Sequence, residues 1–167
     1  MTLGMGVAQA DSGTVTHDYV LQAKTLFKPL ETNRWGIGLG MGKVFHPEVT
    51  PGPNQTGNTY AYVPLSVSFD NDKVVMHVNV GWLRDKASKQ DNMTWGVGGE
   101  FKMTPRLTAI LETYGDHRTT PYGQAGLRFA VVPNLFQIDA TAGRQFNGVD
   151  DNQWLSFGIR LTPEHLF

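Results

Sequence analysis

Cysteine is absent from the 167 residues, which excludes a disulfide framework and thiolate-held metal. Charge is scarce as well. Asp, Glu, Lys and Arg together make up 17% of the chain, well under the roughly 25% of ordinary soluble domains. The 14 Lys and Arg nearly balance the 15 Asp and Glu, so neither nucleic acid nor a polybasic membrane anchor is indicated as a partner. No apolar run approaches the ~18 residues of a membrane-spanning helix. The opening stretch 1–10, MTLGMGVAQA, lacks a charged n-region and alternates its apolar residues with Gly, so it reads as a strand and not as a secretory signal. For an exported protein, the leader is expected to have been left off ahead of Met1. The length suits one domain, 1–167. What the chain has in quantity is glycine, 19 residues, and aromatic rings, 11%.

Apolar and other residues alternate along nearly the whole chain, the period-2 signature of strands with two unlike faces. Parity predicts ten segments: 2–10, 14–28, 34–45, 59–69, 74–84, 93–103, 107–116, 121–131, 136–146 and 153–162. The breaks between them carry turn chemistry and alternate in kind. Those at 30–33, 70–73, 104–106 and 132–135 are tight, and those at 11–13, 46–58, 85–92, 117–120 and 147–152 are looser and more polar. Short turns at one end, longer loops at the other and an even strand count are the layout of a bacterial outer-membrane barrel. The predicted fold is therefore all-β, a ten-stranded antiparallel up-and-down transmembrane β-barrel, with both termini on the short-turn side.

One face of these segments is uninterrupted by charge and includes Leu21, Trp35, Leu39, Val63, Val78, Val80, Val97, Leu111, Leu127, Ile138 and Phe157. The other holds the charges and most of the glycines, among them Gly36, Gly38, Gly40 and Gly42 in succession. A soluble ligand-binding barrel would alternate too, with its apolar face inward. A glycine ladder on a wetted exterior would lose strand propensity for no return, whereas inside a narrow barrel it relieves crowding. The apolar face is therefore expected to face lipid. Aromatics support the same orientation. Phe27, Trp35, Phe69, Phe101, Phe129 and Phe136 flank the tight turns, and Trp82 and Trp95 are expected to face each other across the 85–92 loop with Tyr19 nearby, giving a girdle at each interface.

The last segment, Trp154-Leu155-Ser156-Phe157-Gly158-Ile159-Arg160-Leu161, with the chain ending at Phe167, resembles the C-terminal assembly signal of outer-membrane β-barrel proteins. The resemblance covers the whole chain as architecture and one strand as motif. It implies residence in the bacterial outer membrane, with the bilayer and lipopolysaccharide as surroundings and a monomer as the default state.

Four functional readings follow. The first is a structural barrel or narrow small-solute pore whose lumen is largely filled by side chains. The second is a charge-selective channel for small solutes, since pore-lining charges can set selectivity. Lys24, Glu100, Lys102, Glu112, Arg128, Asp139 and Arg160 point inward, and pairing is expected of Glu112 with Arg128 and of Asp139 with Arg128 or Arg160. Tyr60, Tyr62, Tyr114, Tyr122 and Trp154 form an inward aromatic group at the extracellular mouth, suited to stacking on a sugar or apolar solute or to closing the upper lumen. Lys43, Arg84 and Arg144 stand outward above the apolar band, where they would meet lipopolysaccharide phosphates or simply snorkel. The third reading, a rim hydrolase built on Asp116-His117, Asp150-Asp151 or His17-Asp18, is the weakest, because no nucleophile, base and orienting group stand at recognisable spacing. No enzyme is expected. The fourth is the soluble ligand-binding barrel. Neither a cofactor nor a metal is indicated: the histidines are scattered and Asp70-Asn71-Asp72 is too short for a calcium loop. Asn54-Gln55-Thr56 and Asn92-Met93-Thr94 match glycosylation acceptors, as polar loops often do.

Overall fold

The structure is a computed structural model that describes residues 2–9, 15–45, 57–86, 88–146 and 153–161. Ten strands follow one another: β1 (Thr2–Gln9), β2 (Val15–Lys28), β3 (Trp35–Phe45), β4 (Thr59–Phe69), β5 (Val74–Asp85), β6 (Gln90–Lys102), β7 (Leu107–Asp116), β8 (Tyr122–Val132), β9 (Phe136–Gln145) and β10 (Gln153–Leu161). They form one sheet in chain order, each pairing antiparallel with its sequence neighbours. No β1–β10 ladder is among the described pairings, so the up-and-down antiparallel sheet is what stands, without a seam.

Alternation locates these strands to within one residue at nearly every end. The largest difference is β6, which begins at Gln90 where 93 was expected. The hairpin ladder runs on through Arg84 opposite Asp91 and Asp85 opposite Gln90, and an Arg84–Asp91 ion pair at 2.5 Å closes it. A polar run carries no parity signal, so the extension was hidden. Asn92 is consequently a buried strand residue, ill placed to accept a glycan. The two tryptophans also differ from expectation: Trp82 pairs with Met93 and Trp95 with Val80, and the Trp82 indole donates to Asp91 at 3.1 Å. The Tyr19 side chain, the Asn54 acceptor and most of the 46–58 and 147–152 loops, together with residues 162–167, lie outside the described residues.

The apolar residues do not gather into a core. Among the described residues no hydrophobic side chain is buried, whereas Val78 is 39% and Leu111 52% exposed. Phe27, Trp35, Phe69 and Phe129 are exposed beside the tight turns. At the first of these turns the β2–β3 register shifts between Leu26 and Lys28, and the Lys28 ammonium stands 3.7 Å over the Trp35 ring, a cation–π contact.

The opposite face is concave, because its side chains reach over an intervening strand. Tyr60 on β4 donates to Gln22 on β2 at 2.9 Å, passing over Gly42 of β3. Arg128 on β8 reaches Glu100 on β6, and the Trp154 ring on β10 lies 5.9 Å from Tyr122 on β8. Glycine permits the reach. Tyr62 lies on Gly40, Tyr60 on Gly42 and Trp154 on Gly143, each ring directly cross-strand from the glycine whose missing Cβ it occupies. Not every inward glycine is equally constrained. A Cβ on Gly36 would stand 2.6 Å from the Leu30 backbone nitrogen, whereas one on Gly96 meets nothing nearer than 3.5 Å. Gly36→Ala is therefore expected to cost about 1–3 kcal/mol by overpacking against backbone, and Gly96→Ala to stay within about 0.5 kcal/mol, as read from denaturant midpoints of the two variants.

Two tight turns are tied to each other. Asp70, Asn71 and Asp72 all take left-handed backbone angles, φ 47°, 54° and 63°, as does Asn33 at 57°. Asn and Asp tolerate that region better than other side chains do. Asn33 Nδ2 donates to Asn71 Oδ1 at 2.8 Å while the Asn71 amide donates to Asn33 Oδ1 at 2.7 Å. Thr32 donates to Asp72 at 2.6 Å, and Ser68, the most buried side chain described at 2% exposure, donates to the same carboxylate. The Ser68 and Thr32 hydroxyls, helped by the charge of Lys102, hold the Asp72 carboxyl below its ordinary value of 3.8. A depressed carboxyl favours the folded state above its unfolded value and loses that contribution as pH falls through the folded value. Asp72→Asn is therefore expected to flatten the acid limb of the stability profile below about pH 4, and an unchanged limb would show the turn clasp to be energetically idle.

Candidate functional site

The concave face gathers most of the inward residues expected from parity and corrects their pairing. Arg128, with its side chain 14% exposed, binds both oxygens of Glu100 at 3.0 Å, and not Glu112 as expected. Glu112 instead accepts from its directly opposite neighbour Gln124 at 2.6 Å. Asp139 stands opposite Arg128 in register, yet its carboxylate lies on Gly158 and forms an ion pair with neither Arg128 nor Arg160 among the described residues. The reason is reach. On a coiled sheet the long arm of Arg spans to the second strand along, whereas the short arm of Asp folds onto the nearest gap in side-chain cover, which glycine supplies. Lys24, Lys102 and Arg160 share this face by register, and among the described residues no ion pair joins them to these carboxylates. One further inward pair escaped the sequence reading: Ser66 and His77 Nδ1, opposite each other on β4 and β5, are 2.8 Å apart. Both have inward parity, so register was the missing signal.

Two chambers lie between these side chains. The lower, about 370 Å³, is bordered by His77, Glu100, Glu112, Gln124, Arg128 and Asp139. The upper, about 320 Å³, is bordered by Tyr60, Tyr62, Asn79, Thr94, Glu112 and Tyr114. Asn79 and Glu112 border both, so the two meet at that level.

The mouth aromatics resolve into two groups. Tyr60 and Tyr62 stack at 6.3 Å between centroids. Tyr114 and Tyr122 stack at 5.6 Å, with Trp154 tilted against both. The outward cations do not form one cluster. Arg84 is held by Asp91, Lys43 approaches Phe45 at 5.7 Å, and Arg144 borders an outer-face groove of about 660 Å³ with Met76, Phe101, Leu111, Ala125 and Phe146.

Asp116 and His117 are engaged in building a turn. The Asp116 carboxylate accepts the Arg118 and Thr119 amides at 2.7 Å each. The Met93 amide donates to His117 Nδ1 at 3.0 Å. Arg118 Nε donates to His117 Nε2 at 3.1 Å, so both ring nitrogens face donors, of which a neutral imidazole accepts one. Both side chains thus hold the 116–119 turn against β6. The alternative pairs His17-Asp18 and Asp150-Asp151 fall outside the described side chains. Among the described residues no group of His, Asp and Glu is arranged to hold a metal ion.

No curated protein and no solved structure matches the chain. A family model spans residues 1–162, and the chain belongs to the family it defines, described as Uncharacterised conserved protein UCP029691.

Proposed function

We propose that β1 and β10 pair to close the sheet into a ten-stranded transmembrane barrel of the bacterial outer membrane, with a narrow lumen that passes small solutes. The observation carrying this reading is the inversion of the two faces: apolar side chains exposed all along one, ion-paired and hydrogen-bonded polar side chains sheltered on the other. In water such an exterior would be an aggregation liability. In lipid it is the stable arrangement, and open sheet edges are what lipid does not tolerate. Strands of 8 to 14 residues are of the length that a tilted strand needs to cross the hydrocarbon layer, roughly 9–11. Arg144 beside the outer groove supports contact with lipid anions, lipopolysaccharide phosphate among them. The two chambers support passage over a fully plugged lumen.

The reading predicts that the protein stays with membranes through an alkaline wash, needs detergent for extraction, and gives small discrete conductance steps in planar bilayers. Conductance changed by Glu112→Gln would assign the current to the lumen. Silent bilayers holding correctly inserted protein would leave a purely structural barrel, and a chain dispersed without detergent would overturn the membrane reading altogether.

A further inference from the structure

We infer that the upper chamber binds a small organic cation, of the alkylammonium class. The inference rests on the reading of the lumen as a solute path, and it names the solute. Its basis is a mismatch between the chamber's walls and its charge. Of the side chains bordering the chamber, Glu112 alone is charged, and among the described residues its partner is the neutral Gln124 amide, on Oε2. The Arg128 guanidinium, which borders the lower chamber with Glu112, is committed to Glu100. A sheltered carboxylate with no counter-cation calls for one from outside.

The remaining walls select which cation. Tyr60, Tyr62 and Tyr114 border the same space. The faces of aromatic rings attract a cation within about 6 Å of the centroid, and quaternary ammonium groups are the usual ligands of such walls. Tyr60 has its hydroxyl spent on Gln22 and its ring seated on Gly42, so it closes the chamber on the β3 side. A bare metal ion is poorly served here, since it would need several oxygen ligands at about 2.0–2.6 Å. The volume of about 320 Å³ is at the small end of ligand cavities, about 300–1,000 Å³, which fits a tetramethylammonium or choline group. Lys24 shares the row of Gly40 and Tyr62 by register but is not among the residues bordering the chamber.

The test is a calorimetric titration of the detergent-purified full chain with choline, with its uncharged isostere 3,3-dimethylbutan-1-ol, and with glucose. Choline is expected to bind saturably, with the neutral alcohol and glucose about ten-fold weaker or more. Glu112→Gln is expected to weaken choline by about ten-fold while leaving the alcohol unchanged. Asn79→Asp, which adds a second carboxylate at the same level, is expected to tighten choline, so the inference does not hang on one variant folding. Equal binding of choline and the alcohol, preference for glucose, or no response to either substitution would overturn it. Bilayer currents without cation preference, together with no choline binding, would remove this inference and leave the passage standing. Choline binding with silent bilayers would do the reverse.

Discussion

Leu111→Arg is expected to destabilise the protein by about 2–4 kcal/mol when it is inserted in lipid, the cost of a cation on the outer face near the bilayer midplane. Leu111 is 52% exposed at the middle of β7, so ordinary surface logic predicts almost no effect, within about 0.5 kcal/mol. The two settings therefore give opposite answers from one substitution. Depth supplies the control. Met93 is also exposed, but it pairs with Trp82 near the polar end of the β5–β6 hairpin, where Met93→Arg is expected to cost only about 0–1 kcal/mol. Reversible unfolding from lipid vesicles in guanidinium reads both. A cost that grows from Met93 to Leu111 would report the hydrocarbon slab, and flat values near zero would place this face in water.

Arg128→Met is expected to cost about 2–3 kcal/mol, because it strands Glu100 on the sheltered face. The figure sits below the roughly 3–5 kcal/mol of a fully buried broken pair because the Glu100 side chain remains 32% exposed and can draw on water. Arg128 offers both Glu100 oxygens a bond from one nitrogen, and Gln at position 100 would no longer need a counter-charge. Arg128→Met combined with Glu100→Gln is accordingly expected to recover most of the loss, and the coupling energy in a double-mutant cycle measures the pair. A double variant as unstable as the sum of the singles would mean that Arg128 acts by packing, its long stem filling the lower chamber, and not by charge.

Much of the architecture was legible because a strand with two unlike faces writes its parity into the chain. The segments 59–69 and 107–116 could be read to the residue, since alternation stops abruptly at Asp70, Thr104 and His117. The start of β6 could not, because Gln90, Asp91 and Asn92 are all polar and parity is silent among like residues. The glycines were legible as a face but not as seats. That Gly42 lies beneath Tyr60 and Gly143 beneath Trp154 depends on which residues stand opposite one another. The same limit explains the charges. Residues sharing a face could be grouped, but Arg128 was expected to take Glu112, one strand away, and takes Glu100, two strands away. The curvature that brings second neighbours together is set by the whole sheet, and no window of sequence records it. The upper chamber was visible only as a list of aromatic rings; the isolation of Glu112 among them required knowing where Arg128 went.

Nearest-neighbour order has a kinetic consequence. Every described pairing joins strands adjacent along the chain, so assembly can proceed hairpin by hairpin, each new strand finding a template already laid down beside it. Local pairing of this kind keeps the entropy of each added step small. The clasp between Asn33 and Asn71 then joins two such hairpins as soon as both exist. On the proposed closure, what would remain is a single long-distance event, in which the first strand and the last meet across the full length of the polypeptide. That step should limit the overall rate, and it is the one an assembly factor would gain most by catalysing.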